Sequence, residues 1–203
     1  MDDLLEESES LARHLLALID LPLIESVRAQ VSGTACSLAL EHWQAVRALL
    51  ARGLLPSALV VHRAQFEALV RSVWLAYAAG ENDVEKLGAQ LDLASEQSAK
   101  NVSNVNEMMQ HIREHAPLAA YSGLARFKEH NWKALNSYTH AGIHPLRRHA
   151  EGYPRELVCA VLCNANGLGV FSCMQAVALA GAQPLQQKVL EIAAKYPRST
   201  PSD

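Results

Sequence analysis

From Leu157 to Gln187 the chain carries no charged side chain. Such a run is long enough to cross a bilayer, and few soluble folds can hide it. It also contains Asn164, Asn166 and Gln175, with glycines at 167, 169 and 181, and no basic flank that would orient it in a membrane. Amides and glycines at these positions suit close contact with other helices. The run therefore predicts a buried helix over about Arg155–Ala182, central in a bundle or at a subunit interface, and not a membrane span.

The remaining chain fits the same class. Half of its 203 residues are hydrophobic and only 5% are aromatic, with Ala and Leu abundant. That bias favours helices over sheets. Apolar spacing predicts a first helix over Asp2–Asp20 and a second over about Leu23–Arg52. Gly53 and Pro56 then break the chain, and a third helix is expected over Pro56–Ala79. Leu59, His62, Phe66, Leu69, Val73 and Tyr77 follow helical spacing there, and the other sides are apolar too. A helix apolar nearly all round belongs at the centre of a bundle. Arg63, Glu67 and Arg71 recur every four residues along it, as one charged line on an otherwise buried rod. Gly80-Glu-Asn-Asp83 reads as a turn and a new cap. A more polar helix is expected over Asp83–His115, kinked near Ser95–Asn106, then short helices at Tyr121–Glu129 and Trp132–Thr139. Gly142 and Pro145 are expected to interrupt helix, and a last helix covers about Pro184–Lys195. The prediction is an all-α multi-helix bundle in a single domain over 1–196, with a disordered tail over 197–203.

Charge is uneven. Between Arg126 and Arg155 there are six bases (Arg126, Lys128, Lys133, Arg147, Arg148, Arg155) and two acids (Glu129, Glu151), so this stretch carries +4 and the rest of the chain −7 of the net −3. A local basic patch on an acidic protein suits a small anion or a phosphate; a solvated loop would show the same composition. Cys36, Cys159, Cys163 and Cys173 form no Cys-x-x-Cys pair, and three of them fall on the apolar helix. They read as small hydrophobes in a reducing compartment, with zinc disfavoured. The acidic start Met-Asp-Asp-Leu-Leu-Glu-Glu is unlike a signal peptide, which makes the cytoplasm the expected location.

Four of the nine histidines, His130, His140, His144 and His149, lie within twenty residues. Imidazole titrates nearest neutrality, so this is the first place to look for chemistry. His140 and His144 are four apart, a spacing that could hold a metal on a helix, but Gly142 and Pro145 oppose a regular helix there, and no carboxylate completes a His-Glu-x-x-His pattern. No metal and no cofactor is expected. Two readings remain for His140. It is a hydrogen-bonded core or cap residue, or it moves a proton while Lys133, Arg147 or Arg148 holds a phosphate. The charged line on the third helix has a parallel pair of readings: an internal salt-bridge network, or a pocket wall where one arginine holds an anion. The chain has no Gly-x-Ser-x-Gly, no phosphate-binding Gly-x-x-x-x-Gly-Lys and no Gly-x-Gly-x-x-Gly.

Arg63-Ala-Gln-Phe-Glu67 on a central helix, followed by Asn136-Ser-Tyr-Thr-His140-Ala-Gly142, resembles a bacterial all-helical family of unknown function similar to the HEPN superfamily. That resemblance implies a helical bundle that often dimerises, in a group that includes RNA-cleaving toxins and defence nucleases. The nuclease members carry an Arg followed by a His after four to six residues. None of the nine histidines here has an arginine at that distance; Lys133, six intervening residues before His140, comes nearest. Lysine keeps the charge but not the forked hold on phosphate. The expectation is a cytoplasmic homodimer, a HEPN-like protein with a polar pocket for a phosphate-bearing anion (a nucleotide or RNA) and, at its most specific, a divergent ribonuclease. His140 and Lys133 are the catalytic candidates, with Arg63 as an alternative source of positive charge. Arg63, Glu67, Arg71, Asn136, Tyr138, His144 and Arg147 are the binding candidates. The rival is a non-enzymatic homodimeric module in which the same residues form a structural network.

Overall fold

A computed structural model describes residues 1–201, and among them every regular element is a helix. The order is α1 (Asp2–Leu18), α2 (Val27–Ala51), α3 (Leu55–Tyr77), α4 (Glu81–Gly88), α5 (Leu93–Ala99), α6 (Val105–His115), α7 (Leu118–Thr139), α8 (Ile143–Glu151), α9 (Arg155–Leu179) and α10 (Leu185–Ala193). Helices α2 and α3 form a hairpin packed along its length. Helix α9 lies against both, α1 and α10 lean on α9, and α6 and α7 pack on α3. The expected all-α bundle with long central helices is present.

Two hydrophobic clusters meet on α3. Its first half contributes Leu55, Ala58 and Leu59 to a core shared with α1, α2, α7, α9 and α10. Its second half, from Phe66 to Leu75, joins a core built with α6 and the start of α7. Between them lies a buried polar pair. The Gln65 amide donates to the Ala165 carbonyl at 3.0 Å, which leaves its oxygen to accept from Nδ1 of His62 at 2.9 Å. His62 Nε2 is left buried without a partner, so a second proton on this ring would gain nothing to offset its desolvation.

Helix α9 fits through its two glycines. A Cβ at Gly169 would lie 2.3 Å from the ring of Trp43, and one at Gly167 would lie 2.7 Å from Pro201. Trp43, fully buried, sits in the space that Gly169 leaves. The helix is long and apolar enough to cross a membrane, but half of its most apolar window is buried inside the bundle.

Several boundaries differ from the sequence reading. Asp83–His115 is three helices. Asp92 with Ser95, and Asn104 with Glu107, form reciprocal capping boxes that start α5 and α6 afresh. The two short helices expected over 121–139 are one. Helix α7 runs unbroken through His130 and Asn131, whose side chains bond back to the carbonyls of Arg126 and Phe127. Helix is interrupted over 140–142, as expected at Gly142, but Pro145 lies inside the next helix. Gly142 is the N-cap of α8, and Pro145 sits in its first turn, where no N–H is missed. The tail expected to be disordered is packed over residues 197–201: Glu7 accepts from the Arg198 and Ser199 amides, and Ser199 is buried. Ser202 and Asp203 lie outside the described residues.

His62 gives this fold a pH dependence. Burial lowers its pKa from 6.5 to about 4, against a smaller opposing effect of Gln65. Between those values the unfolded chain takes up a proton that the folded chain refuses, so stability falls as pH drops through this window, by about 3 kcal/mol in all. Urea titrations at pH 7 and pH 4.5 should show a larger loss for the wild type than for His62→Leu. Equal losses would remove His62 as the cause.

Candidate functional site

The charged line of α3 surfaces at the seam with α7. Arg63 is 19% exposed and donates from Nε to Glu67 at 2.7 Å. Its guanidinium carbon lies 4.8 Å from the centroid of the Trp132 ring. From the far side, Arg63 Nη1 reaches to 3.5 Å from His140 Nε2. One arginine thus touches a carboxylate on its own helix, an indole on α7 and the imidazole at the end of α7. Arg71 does not join them. Each four-residue step turns a helix by about 40°, so Arg71 lies roughly 80° around from Arg63. It is exposed and has no ion pair among the described residues. The expected continuous buried stripe is in fact one partly buried pair and one solvated arginine.

The corner after α7 aims His140. His140 is the C-cap, and its amide donates to the Asn136 carbonyl at 3.2 Å. The Gly142 amide donates to the Ser137 carbonyl at 2.7 Å, closing the wide bond of a Schellman turn. Ser137 Oγ then accepts the His144 amide at 3.1 Å, joining the corner to α8. Ala141, between the two bonds, has φ of +49°. The same reversal ends α2 and α9, with Gly53 and Gly181 at the equivalent positions. An alanine therefore holds a left-handed conformation that costs an L side chain about 1–2 kcal/mol, and the strain lies next to the exposed imidazole.

The other candidates separate into two groups. Lys133 is exposed and lines an open groove of about 620 Å³ between α6 and α7, with Arg113, Lys128 and Trp132 set against Glu114 and Glu129. Seven residues, about 10 Å along the helix axis, separate it from His140. Asn136 is half-buried on α7, with no side-chain hydrogen bond among the described residues. Tyr138, His144 and Arg147 lie elsewhere. Tyr138 is buried in the core, and His144 stacks on it at 6.5 Å between ring centroids. Burial, then Tyr153, raise the Tyr138 pKa, with Arg148 opposing. Arg147 is exposed and pairs with Glu151 on its own helix. No hydrogen bond, ion pair or ring contact among the described residues links these three to Arg63. The histidine-rich stretch is therefore not one pocket wall. The basic patch is also divided, with Lys128 and Lys133 on the α6/α7 groove and Arg126 on a groove beside α9.

Trp132 is the residue that sequence reasoning missed. Its ring has Arg63 within 4.8 Å and Lys128 Nζ at 5.9 Å, so it joins the Arg63–His140 seam to the cationic groove. Lys128, Trp132 and Asn136 at i, i+4 and i+8 on one helix face were the available signal. No group of three or more His, Cys, Asp or Glu residues converges as a metal site among the described residues. His140 and His144 engage different partners, Arg63 and Tyr138.

Fold and site together define an all-helical bundle with an arginine–histidine seam on its surface. Residues 36–202 match DUF6988, a family of unknown function, and the chain belongs to that family. The matched region contains both Arg63 and His140. No curated protein and no solved structure matches the chain.

Ala141 offers a direct check on the corner. Ala141→Gly removes the Cβ from a left-handed position and should raise stability by about 1 kcal/mol, read as a higher denaturation midpoint at unchanged slope. A lower midpoint would show that the corner is not held in this conformation.

Proposed function

We propose that the Arg63–His140 seam and the adjoining α6/α7 groove bind a phosphate-bearing chain, a nucleotide or a single strand of RNA. The observation that carries this reading is the 3.5 Å approach of Arg63 Nη1 to His140 Nε2 on an exposed part of the molecule. Glu67 and Trp132 hold the guanidinium in place, so little side-chain freedom is lost when a phosphate takes its outer edge. Lys128 and Lys133 lie further along α7, within reach of a neighbouring phosphate. Trp132, between the two ends, offers an apolar surface for a base, and such stacking is indifferent to sequence.

The likeness to HEPN proteins enters here. Their nuclease members take the Arg and the His from one short motif. In this chain the two side chains come from α3 and α7 and approach through space. In a catalytic version of this reading His140 moves the proton of the attacking or leaving hydroxyl, and Arg63, being the cation beside it, stabilises the charge on phosphorus. Lys133 is then a second phosphate contact, because two helical turns separate it from the imidazole.

The second reading, a non-enzymatic homodimeric module with a structural network, has its own observation: Arg63 is already engaged by Glu67 and Trp132. Binding decides between them. Fluorescent single-stranded RNA titrated into the protein should bind with an affinity that falls as salt rises. Arg63→Ala should weaken it about tenfold or more, and His140→Ala should weaken it too and remove any cleavage of total RNA. Binding unchanged by Arg63→Ala, or no binding of RNA or nucleotide at low salt, would overturn the phosphate reading and favour the network.

A further inference from the structure

A second pocket, of about 630 Å³, lies at the start of α9 against α1 and the C-terminal segment. Cys159 and Cys163 line it, with Met1 and Asp3 from the chain start, Arg155 from α9 and Arg198 from the tail. Both cysteines are free and half-buried, whereas Cys36 and Cys173 are buried in the core. Their spacing of four puts both thiols on one face of α9, a single turn apart.

The distance between them limits what they can do together. Side chains at i and i+4 have Cβ atoms about 5–6 Å apart. A disulfide requires about 3.5–4.5 Å, so oxidation to a bond would distort the helix. A bridging metal adds two metal–sulfur bonds of about 2.3 Å each, and that span fits an unbroken helix. Burial raises the Cys163 thiol pKa, and the charges of Cys159 and Glu7 raise it further; the two sulfur atoms therefore feel one another.

We propose that Cys159 and Cys163 form a two-thiolate binding site for a soft monovalent metal ion, Cu(I). Thiolate and thioether donors favour Cu(I), and Met1 is among the residues that line the same pocket. Structural Zn(II) takes four ligands from Cys, His or carboxylate. No histidine lines this pocket, and Asp3 is its one carboxylate. Binding displaces one proton from each thiol, so Cu(I) and two thiols give a complex of charge −1 and two protons. Arg155 offsets part of that charge, while Arg198 is already paired with Glu7 at 3.6 Å. The site is remote in sequence from the Arg63–His140 seam and stands independently of the phosphate reading.

The test is a Cu(I) titration of the full chain under reducing, oxygen-free conditions against a chromophoric Cu(I) chelator. The expected result is withdrawal of one equivalent of Cu(I) from the chelator. One equivalent should also shield Cys159 and Cys163 together from iodoacetamide, read by peptide mass mapping. The double variant Cys159→Ser/Cys163→Ser should lose more affinity than the roughly 10–100-fold that loss of an outer-shell partner costs. No withdrawal from the chelator, protection of neither or only one cysteine, equal protection by Zn(II), or full binding by the double variant would overturn the proposal. If the double variant fails to fold, the wild-type protection pattern decides alone.

Discussion

The side chain of Asn166 fixes the rotation of α9, and with it the placement of most other helices. Its oxygen accepts from Ser8 Oγ and from Trp43 Nε1, each at 2.9 Å, and its nitrogen donates to the Ser199 carbonyl at 2.7 Å. All four groups are buried, so breaking any of these bonds strands a polar atom away from water, at about 1–3 kcal/mol. Arg47 extends the network by donating to Ser8, and it pairs with Glu9. Trp43 can reach Asn166 because Gly169, one turn further on, leaves room for the indole. One amide thus ties α1, α2, α9 and the tail together. A rotation of α9 by one residue would break every bond and drive a side chain into the Trp43 ring.

The candidate site depends on that arrangement at one remove. Helix α3 rests on α2 and α9, and the Gln65 bond to the Ala165 carbonyl pins its midpoint one residue from the Asn166 hub. Arg63 and Glu67 are then left on the side facing α7, where Trp132 and His140 meet them. The rigid polar network is buried, and the exposed polar groups are those with unused bonding capacity. This division separates a structural role from a binding role more clearly than residue type does.

Much of the fold was legible in the sequence, because helical periodicity and caps are local. The all-round apolar pattern identified α3 and α9 as central, and Asn104-Val-Asn-Glu107 is a readable capping box. What was missed is non-local. Gly169 reads as a defect in a helix until Trp43 is beside it. The Pro- and Ser-rich tail reads as disordered because nothing nearby in sequence announces that Glu7 will bind its amides. The His130-Asn131 pair reads as a break, yet its side chains bond back to their own helix. At the site, the approach of Arg63 to His140 is not legible in the sequence, because it joins residues 77 apart that only the packing of α7 on α3 brings together. Tyr138, His144 and Arg147 were placed with them on proximity in sequence alone. The corner at Ala141–Gly142 turns that stretch aside: Tyr138 goes to the core and α8 carries the rest away.

The central claim is that Arg63 and His140 act as one unit toward a phosphate. The most direct measurement is an NMR titration of the His140 ring resonances with inorganic pyrophosphate, in the wild type and in Arg63→Gln. The account predicts a saturable shift of those resonances in the wild type that is largely lost in the variant, with the His149 resonances little changed in both. His140 resonances that do not respond, or that respond equally without the arginine, would contradict it.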